Sequence, residues 1–312
     1  MKLLITGALG HIGSKFIHSI RPGDYTEVVL LDNLSTQRYC SLFNLPQGVP
    51  FRFIEGDILT ADLEQLCAGV DVVIHLAAIT NAAGSFEIQE KVEQVNFEGT
   101  KRVAQACMTN HNKMIYLSTT SVYGTQGEVV DEDCSIEDLK PQSPYAESKL
   151  HSEQLLQALG QRNGLRFIIC RFGTIFGTSI GMRFHTAVNK FCWQACMGQP
   201  ITVWRTALHQ KRPYLDLGDA VRALDFVIKT DRFDNQVYNV LTENATVSEF
   251  VELIRAQVPD LQVAFVDERI MNQLSYTVAN AKFKSVGFCF EGSLAQGIDA
   301  TIQLIRGARQ IV

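Results

Sequence analysis

The chain has 312 residues, 46% of them hydrophobic, enough to bury a substantial core as one large domain or two coupled ones. A net charge of −5 with no basic run gives no electrostatic footprint for nucleic acid. No apolar stretch approaches the roughly 20 residues of a membrane helix, and Met1 leads straight into a strand, so a cytoplasmic location away from membranes is expected.

Lys2-Leu3-Leu4-Ile5-Thr6 is a short apolar strand that runs into Gly7-Ala8-Leu9-Gly10-His11-Ile12-Gly13 and then a helix over 11–20. Glycines at this spacing allow a tight turn, close approach of backbone to a pyrophosphate, and close helix–strand packing; the helix N-terminus adds free N–H groups and a positive dipole end. A second strand over 27–31 ends at Asp32, whose carboxylate is placed to accept hydrogen bonds from an adenosine ribose and to repel a 2′-phosphate. A lone glycine motif is often only a turn. Strand, glycines, helix, strand and terminal acid in this order point to a bound dinucleotide.

Further strands are expected over 51–55, 71–75, 113–118 and 166–171, alternating with helices over 60–68, 87–110 and 144–162. That alternation specifies an α/β protein with a doubly wound parallel sheet. After Gly177 the pattern turns irregular, with helices over 184–197, 218–229 and 246–256 and a strand over 201–204.

The chemistry-bearing pattern is Tyr145-Ala146-Glu147-Ser148-Lys149. On a helix, Tyr145 and Lys149 share one face, where the ammonium can lower the phenol's pKa and suit it to proton transfer near neutral pH. Thr119 ends the apolar run Met114-Ile115-Tyr116-Leu117, so its hydroxyl belongs at the carboxyl edge of the sheet, where open α/β folds bind ligands. The bland alternative is a helix whose tyrosine and lysine merely face each other. His75 ends the strand Val72-Val73-Ile74 and reads as a satisfied, partly buried histidine before a general base. Asn96, flanked by Val95 and Phe97, reads as a tie between the central helix and the active-site strand. The eight cysteines are scattered; Cys192 and Cys196 lie one turn apart without the histidine or second cysteine pair of a metal site, so no metal is expected.

Taken in order, these pieces resemble the extended short-chain dehydrogenase/reductases of the NAD-dependent nucleotide-sugar epimerase/dehydratase family. The likeness runs nearly the whole length: Thr6-Gly7-Ala8-Leu9-Gly10-His11-Ile12-Gly13, Leu31-Asp32-Asn33, Gly56-Asp57-Ile58, His75-Leu76-Ala77-Ala78, Asn96, Ser118-Thr119-Thr120-Ser121-Val122-Tyr123-Gly124, the Tyr145–Lys149 motif, Arg171-Phe172-Gly173-Thr174-Ile175-Phe176-Gly177, and Lys211-Arg212-Pro213-Tyr214-Leu215-Asp216-Leu217-Gly218-Asp219. The resemblance implies a Rossmann-type NAD domain over 1–178, with some later segments returning to it, and a smaller mixed α/β domain over 179–312 for the nucleotide sugar. It implies Tyr145, Lys149 and Thr119 as catalytic residues. Gly7, Gly10, His11, Ile12, Gly13, Asp32, Asn33, Ser35, Asp57, Ile58, Leu76, Ala77, Ala78 and Asn96 are implied around NAD, with Tyr145 and Lys149 also reaching the cofactor. Arg38 lies where the family wraps the adenosine, or is simply solvated. On the substrate side it implies Thr119, Thr174, Arg183, Arg212 and Arg269, with His185 a further candidate and Asp219 a helix-capping acid. Thr174 and Pro213 depart from the family's usual Asn and Asp. A homodimer is implied through helices 87–110 and 144–162, although their apolar faces suit the sheet equally well.

The residues after Thr119 bear on the reaction. Dehydratases of the family place an Asp-Glu pair there, decarboxylases keep a Glu, and a 3,5-epimerase shows a cysteine nearby; this chain has Thr120-Ser121. An epimerase acting at C4 needs only oxidation and reduction at one carbon. A 4-keto-sugar reductase or dehydratase of the same family is the first alternative, and a non-catalytic dinucleotide sensor the second.

Overall fold

Leu3 and Ile5 belong to one buried core and Leu4, between them, to another, so the first strand is covered on both faces. The computed structural model describes residues 1–124, 129–266 and 275–308. Its strands are β1 (Lys2–Thr6), β2 (Glu27–Asp32), β3 (Phe51–Glu55), β4 (Val72–His75), β5 (Lys113–Thr119), β6 (Val129–Val130), β7 (Arg166–Phe172), β8 (Thr174–Phe176), β9 (Ile201–Trp204), β10 (Lys211–Asp216), β11 (Val237–Val240), β12 (Glu243–Thr246), β13 (Val263–Val266) and β14 (Thr277–Val278). The helices are α1 (His11–Ser19), α2 (Leu63–Cys67), α3 (Gln89–Glu93), α4 (Gly99–Asn110), α5 (Pro144–Asn163), α6 (Ala187–Cys196), α7 (Leu217–Lys229), α8 (Val247–Gln257), α9 (Ala281–Ser285) and α10 (Leu294–Ile305).

Seven strands form one sheet in the order β11-β7-β5-β4-β1-β2-β3, with every pair parallel. Helices α1 and α7 contribute to the core on one face, and α2, α4 and α5 to the core on the other. This is the doubly wound α/β architecture. Chain order reverses between β1 and β4, which opens a crevice beyond their carboxyl ends. Strand β11 comes from well past residue 178 yet pairs with β7 at the sheet edge. A third core gathers α6, α8 and α10 around β9, β10 and Phe176 of β8. No helix among the described residues is long and apolar enough to cross a membrane.

Two local expectations are corrected. The helix expected over 87–110 is continuous in space but carries a π-helical turn, Gln94–Glu98, between α3 and α4. Asp219 does not cap its helix. Asp216 does, accepting from the backbone N–H groups of Gly218 (2.8 Å) and Asp219 (3.1 Å). The Asp219 carboxylate instead accepts from Thr242 Oγ1 at 2.7 Å and from the Glu291 N–H at 2.9 Å, joining three chain segments.

One buried ion pair fastens α5 to the sheet. Arg171 of β7 grips Glu153 of α5 through Nε (3.0 Å) and Nη2 (2.7 Å), with both side chains 5% exposed or less. Ser118 of β5 donates to the same carboxylate. Removing one partner leaves the other as an uncompensated buried charge, a loss on the order of 3–5 kcal/mol. Glu153→Gln is therefore expected to lower the midpoint of urea unfolding sharply, while Glu153→Leu combined with Arg171→Met recovers most of the loss. A single variant as stable as the wild type would show that the pair does not hold the helix.

Candidate active site

Thr119 is the last residue of β5 and pairs in register with Phe172, the last of β7, so its hydroxyl lies at the carboxyl edge of the sheet. It donates to Ser121 Oγ (3.2 Å) and accepts from the Ser121 N–H (3.1 Å). Ser143 caps α5, and Pro144 opens it, which sets Tyr145 in the first turn. Tyr145 is half-buried and hydrogen-bonded to Thr119; Lys149, one turn on, is buried and donates to the Leu117 carbonyl at 2.7 Å. The structure thus brings Thr119, Tyr145 and Lys149 to one place.

Their electrostatics differ from the expectation. Burial pushes the Tyr145 phenol up to about 12, and its hydrogen bond with Thr119 offsets this only in part. Burial also pulls Lys149 down to about 7, against the pull of the Glu153 carboxylate. The lysine does not lower the phenol here, because desolvation favours the neutral form of both groups. At neutral pH the phenol is therefore protonated and able to give its proton to a substrate oxygen.

The crevice at the switch point is built from the loops after β1, β2 and β4. Gly7, at φ +66°, lies so close to the strand-end loop that an added Cβ would sit 2.6 Å from the Ala77 N–H nitrogen. Gly13 would place a Cβ against the Ala8 carbonyl. A side chain at either would collide with backbone, whereas the nearest side-chain neighbour of Gly10 is Arg38 Nη1. Ile12 follows in α1 behind His11. Asp32 accepts from the N–H groups of Leu9 (3.0 Å) and Leu34 (2.9 Å), bracing the glycine loop from β2. Asn33 donates to Asp57 at 2.8 Å and accepts from the Ser35 N–H at 3.1 Å, so the loops after β2 and β3 are joined with Ile58 buried beside them. Leu76, Ala77 and Ala78 line the exit of β4, half-buried.

Buried His11 Nε2 and Arg38 Nε have no hydrogen-bond partner among the described residues. Burial and Arg38 drive His11 down to about 3; burial and Arg183 drive Arg38 down to about 10. Clustered donors around a glycine loop and a helix N-terminus fit a dinucleotide diphosphate.

Other assignments shift. Asn96 is fully buried in the π turn, and its amide is spent on Ile79 N–H (2.8 Å), Ile79 O (3.0 Å) and Ser148 Oγ (3.0 Å). It ties the catalytic helix to the loop after β4, and not to β5 as expected. His75 is fully buried, bonded to Thr6 (2.7 Å) and Thr100 (3.0 Å). Arg183, expected on the substrate, lies within electrostatic reach of Arg38 and His185. Thr174 is exposed at the start of β8, and Arg212 is half-buried on β10, which pairs with β8. Arg269 lies outside the described residues.

Sequence reasoning missed Glu153, although its position one turn beyond Lys149 was available as a signal. It also missed the docking of 179–181 on the glycine loop, through His11 to Ser179 (2.7 Å) and the Gly181 N–H to Ser14 (3.0 Å). Among the described residues no three His, Cys, Asp or Glu side chains gather as a metal site.

The sequence model of the NAD dependent epimerase/dehydratase family matches residues 3–240. The chain is 31% identical over 264 residues to an uncharacterized UDP-glucose epimerase of Bacillus subtilis, covering 81% of each. It is 29% identical over 324 residues to a trifunctional UDP-glucose 4,6-dehydratase/UDP-4-keto-6-deoxy-D-glucose 3,5-epimerase/UDP-4-keto-L-rhamnose-reductase of Arabidopsis thaliana, covering 96% of this chain but 46% of that one. A UDP-glucuronic acid 4-epimerase of Bacillus cereus, solved with UDP-glucuronic acid and NAD, superposes with a TM-score of 0.87 at 25% identity, covering 99% of this chain and 100% of that one.

Lys149 supplies a test. Its folded value of about 7 lies below the ordinary 10.5, so between those limits the unfolded chain binds more protons and folding stability rises with pH. The burial penalty is fully present below about pH 7 and fades toward pH 10.5. Wild type should therefore gain stability relative to Lys149→Met, by a few kcal/mol at most, as urea unfolding is repeated from pH 6.5 to about 10. A stability difference flat with pH would show that the ammonium is not depressed.

Proposed function

Because the chain belongs to the NAD-dependent epimerase/dehydratase family, with NAD as its cofactor, we propose that it is a nucleotide-sugar epimerase acting at C4. The observation that carries this reading is the pair beside Thr119. Thr120 directs its hydroxyl to the Phe172 carbonyl (3.4 Å), and Ser121 receives the Thr119 hydroxyl, so neither supplies a carboxylate for removal of water. The buried Glu153 carboxylate is committed to Arg171 and Ser118. Loss of water from C5 and C6 requires an acid and a base that this arrangement does not offer.

The chemistry that bound NAD supplies is reversible acceptance of the C4 hydride. Tyr145 exchanges the proton of the C4 hydroxyl through its phenol oxygen. Thr119 holds the reacting oxygen and the phenol in one hydrogen-bonded set. Lys149, buried one turn from Tyr145, would reach the cofactor. Gly7, Gly10, His11, Ile12, Gly13 and Arg38 would hold the cofactor diphosphate, and Asp32, Asn33, Ser35, Asp57 and Ile58 its adenosine half, with Leu76, Ala77 and Ala78 beneath. Thr174 and Arg212 would face the nucleotide sugar. With NAD bound, hydride given back to the opposite face of the C4 carbon would invert it. A dimer through the helices over 87–110 and 144–162, a substrate domain beyond residue 178 and a cytoplasmic location belong to the same proposal.

Proton NMR in D2O with added NAD tests it, using a panel of UDP-, GDP-, CDP- and dTDP-sugars headed by UDP-glucuronic acid, the ligand of the similar B. cereus enzyme. The expected outcome is a C4 epimer that keeps its C4 hydrogen and takes up no deuterium. Deuterium at C5 with loss of the C6 hydroxyl would make it a dehydratase; turnover only with NADH and a 4-keto sugar would make it a reductase. Tyr145→Phe should cut turnover by about a hundredfold or more while NAD still binds. Undiminished turnover would remove Tyr145 from the mechanism.

A further inference from the structure

His75 and Tyr116 are fully buried, outside the set of groups that would touch sugar or cofactor. They are in-register neighbours on the parallel strands β4 and β5, so both side chains leave the same face of the sheet. Their rings stack, with centroids 6.0 Å apart and planes 25° from parallel. The imidazole is fixed at both nitrogens. Thr100 donates its hydroxyl proton to the Asn96 carbonyl, so it accepts from His75 Nε2–H (3.0 Å). That leaves Nδ1 to accept from the Thr6 hydroxyl (2.7 Å), the pattern of a neutral ring. Burial, with Lys149 nearby, holds the imidazole down to about 3.

The Lys149 Nζ lies over the Tyr116 ring, 4.7 Å from its centroid, while donating to the Leu117 carbonyl at 2.7 Å. Burial makes this ammonium costly and pulls it down to about 7, and the Glu153 carboxylate draws it back. An aromatic face is negative, and within about 6 Å of a desolvated cation it adds a pull of the same sign. The titratable and charged groups around the amine are Tyr145 and Glu153 on its own helix, Tyr116 on β5, His75 on β4 and, behind Glu153, Arg171 on β7.

We propose that Tyr116 is a positioning residue: its ring face, backed by the neutral His75, seats the Lys149 ammonium beside the Leu117 carbonyl. The proposal rests on Lys149 belonging to the catalytic set. Without the ring the amine keeps its carbonyl partner but loses the surface that fixes its place and favours its charged form. A neutral imidazole behind the ring suits this seat, since a cationic one would repel the lysine.

The test is an NMR titration of the lysine amine in NAD-loaded protein carrying isotope-labelled lysine, with the Lys149 resonance identified by its loss in Lys149→Met. Tyr116→Phe keeps the ring and should leave the amine's pKa close to that of wild type. Tyr116→Leu removes the ring; trifluorinated phenylalanine in place of Tyr116 keeps the shape but drains electrons from the face. Both should lower the pKa by about one unit, a tenfold weaker hold on the proton, because only the ammonium is attracted to the ring. Turnover at neutral pH should fall severalfold in both. Should the leucine variant fail to fold, the fluorinated one decides. A wild-type amine pKa in the fluorinated protein would reduce the ring to packing and overturn the proposal, as would a lowered pKa with wild-type turnover. Undiminished turnover by Lys149→Met would instead remove the lysine from the catalytic set, and this proposal with it.

Discussion

The buried grip of Arg171 on Glu153 is the interaction on which the site's geometry rests. Helix α5 carries Tyr145 and Lys149, yet its apolar face is weak: Glu147, His151 and Gln154 alternate with Leu150, Leu155 and Leu156 along its length. Ridge packing alone would leave it free to slide or rotate against the sheet. A bidentate guanidinium from β7, with Ser118 of β5 on the same carboxylate, locates the helix along two strands at once. Asn96 secures the amino-terminal half through Ser148 and the loop after β4. Tyr145 and Lys149 are held where Thr119 emerges because four elements agree on one helix position.

That anchoring also sets the electrostatics. Packed this tightly, Tyr145 and Lys149 lose water, and each is driven toward its neutral form. The carboxylate that positions the helix is the one that draws Lys149 back toward its charged state. Structure and acidity are therefore not separable here: a change at Glu153 moves the helix and alters the lysine together.

The cofactor crevice follows a different rule. It depends on backbone approach, with Gly7 against Ala77 and Gly13 against Ala8, and on the loops after β2 and β3 being joined by Asn33 and Asp57. The segment 179–181 then settles on the glycine loop, Gly181 lying against the Leu9 carbonyl and Ser14. The later part of the chain thereby touches the glycine loop directly, and Arg183 comes within electrostatic reach of Arg38.

What the sequence determined by itself is what local spacing encodes. Alternating strands and helices, the glycine turn before α1, Asp32 at the end of β2, and Tyr145 one turn before Lys149 are all short-range patterns, and each stands in the structure where its period put it. Thr120-Ser121 likewise told against a carboxylate beside Thr119 without any coordinates. Which late segment returns to the sheet (β11, beside β7), the committed amide of Asn96, the capping by Asp216 in place of Asp219, and the placing of Arg212 over Tyr276 were decided only by tertiary structure. So was the direction in which Tyr145 is shifted. Spacing tells which side chains can meet along one helix or strand; it carries no measure of how much water a site loses. Nor does it say which of several distant partners a buried polar group will find. Those quantities arise when segments separated by many residues pack together, and they set the chemistry of this site.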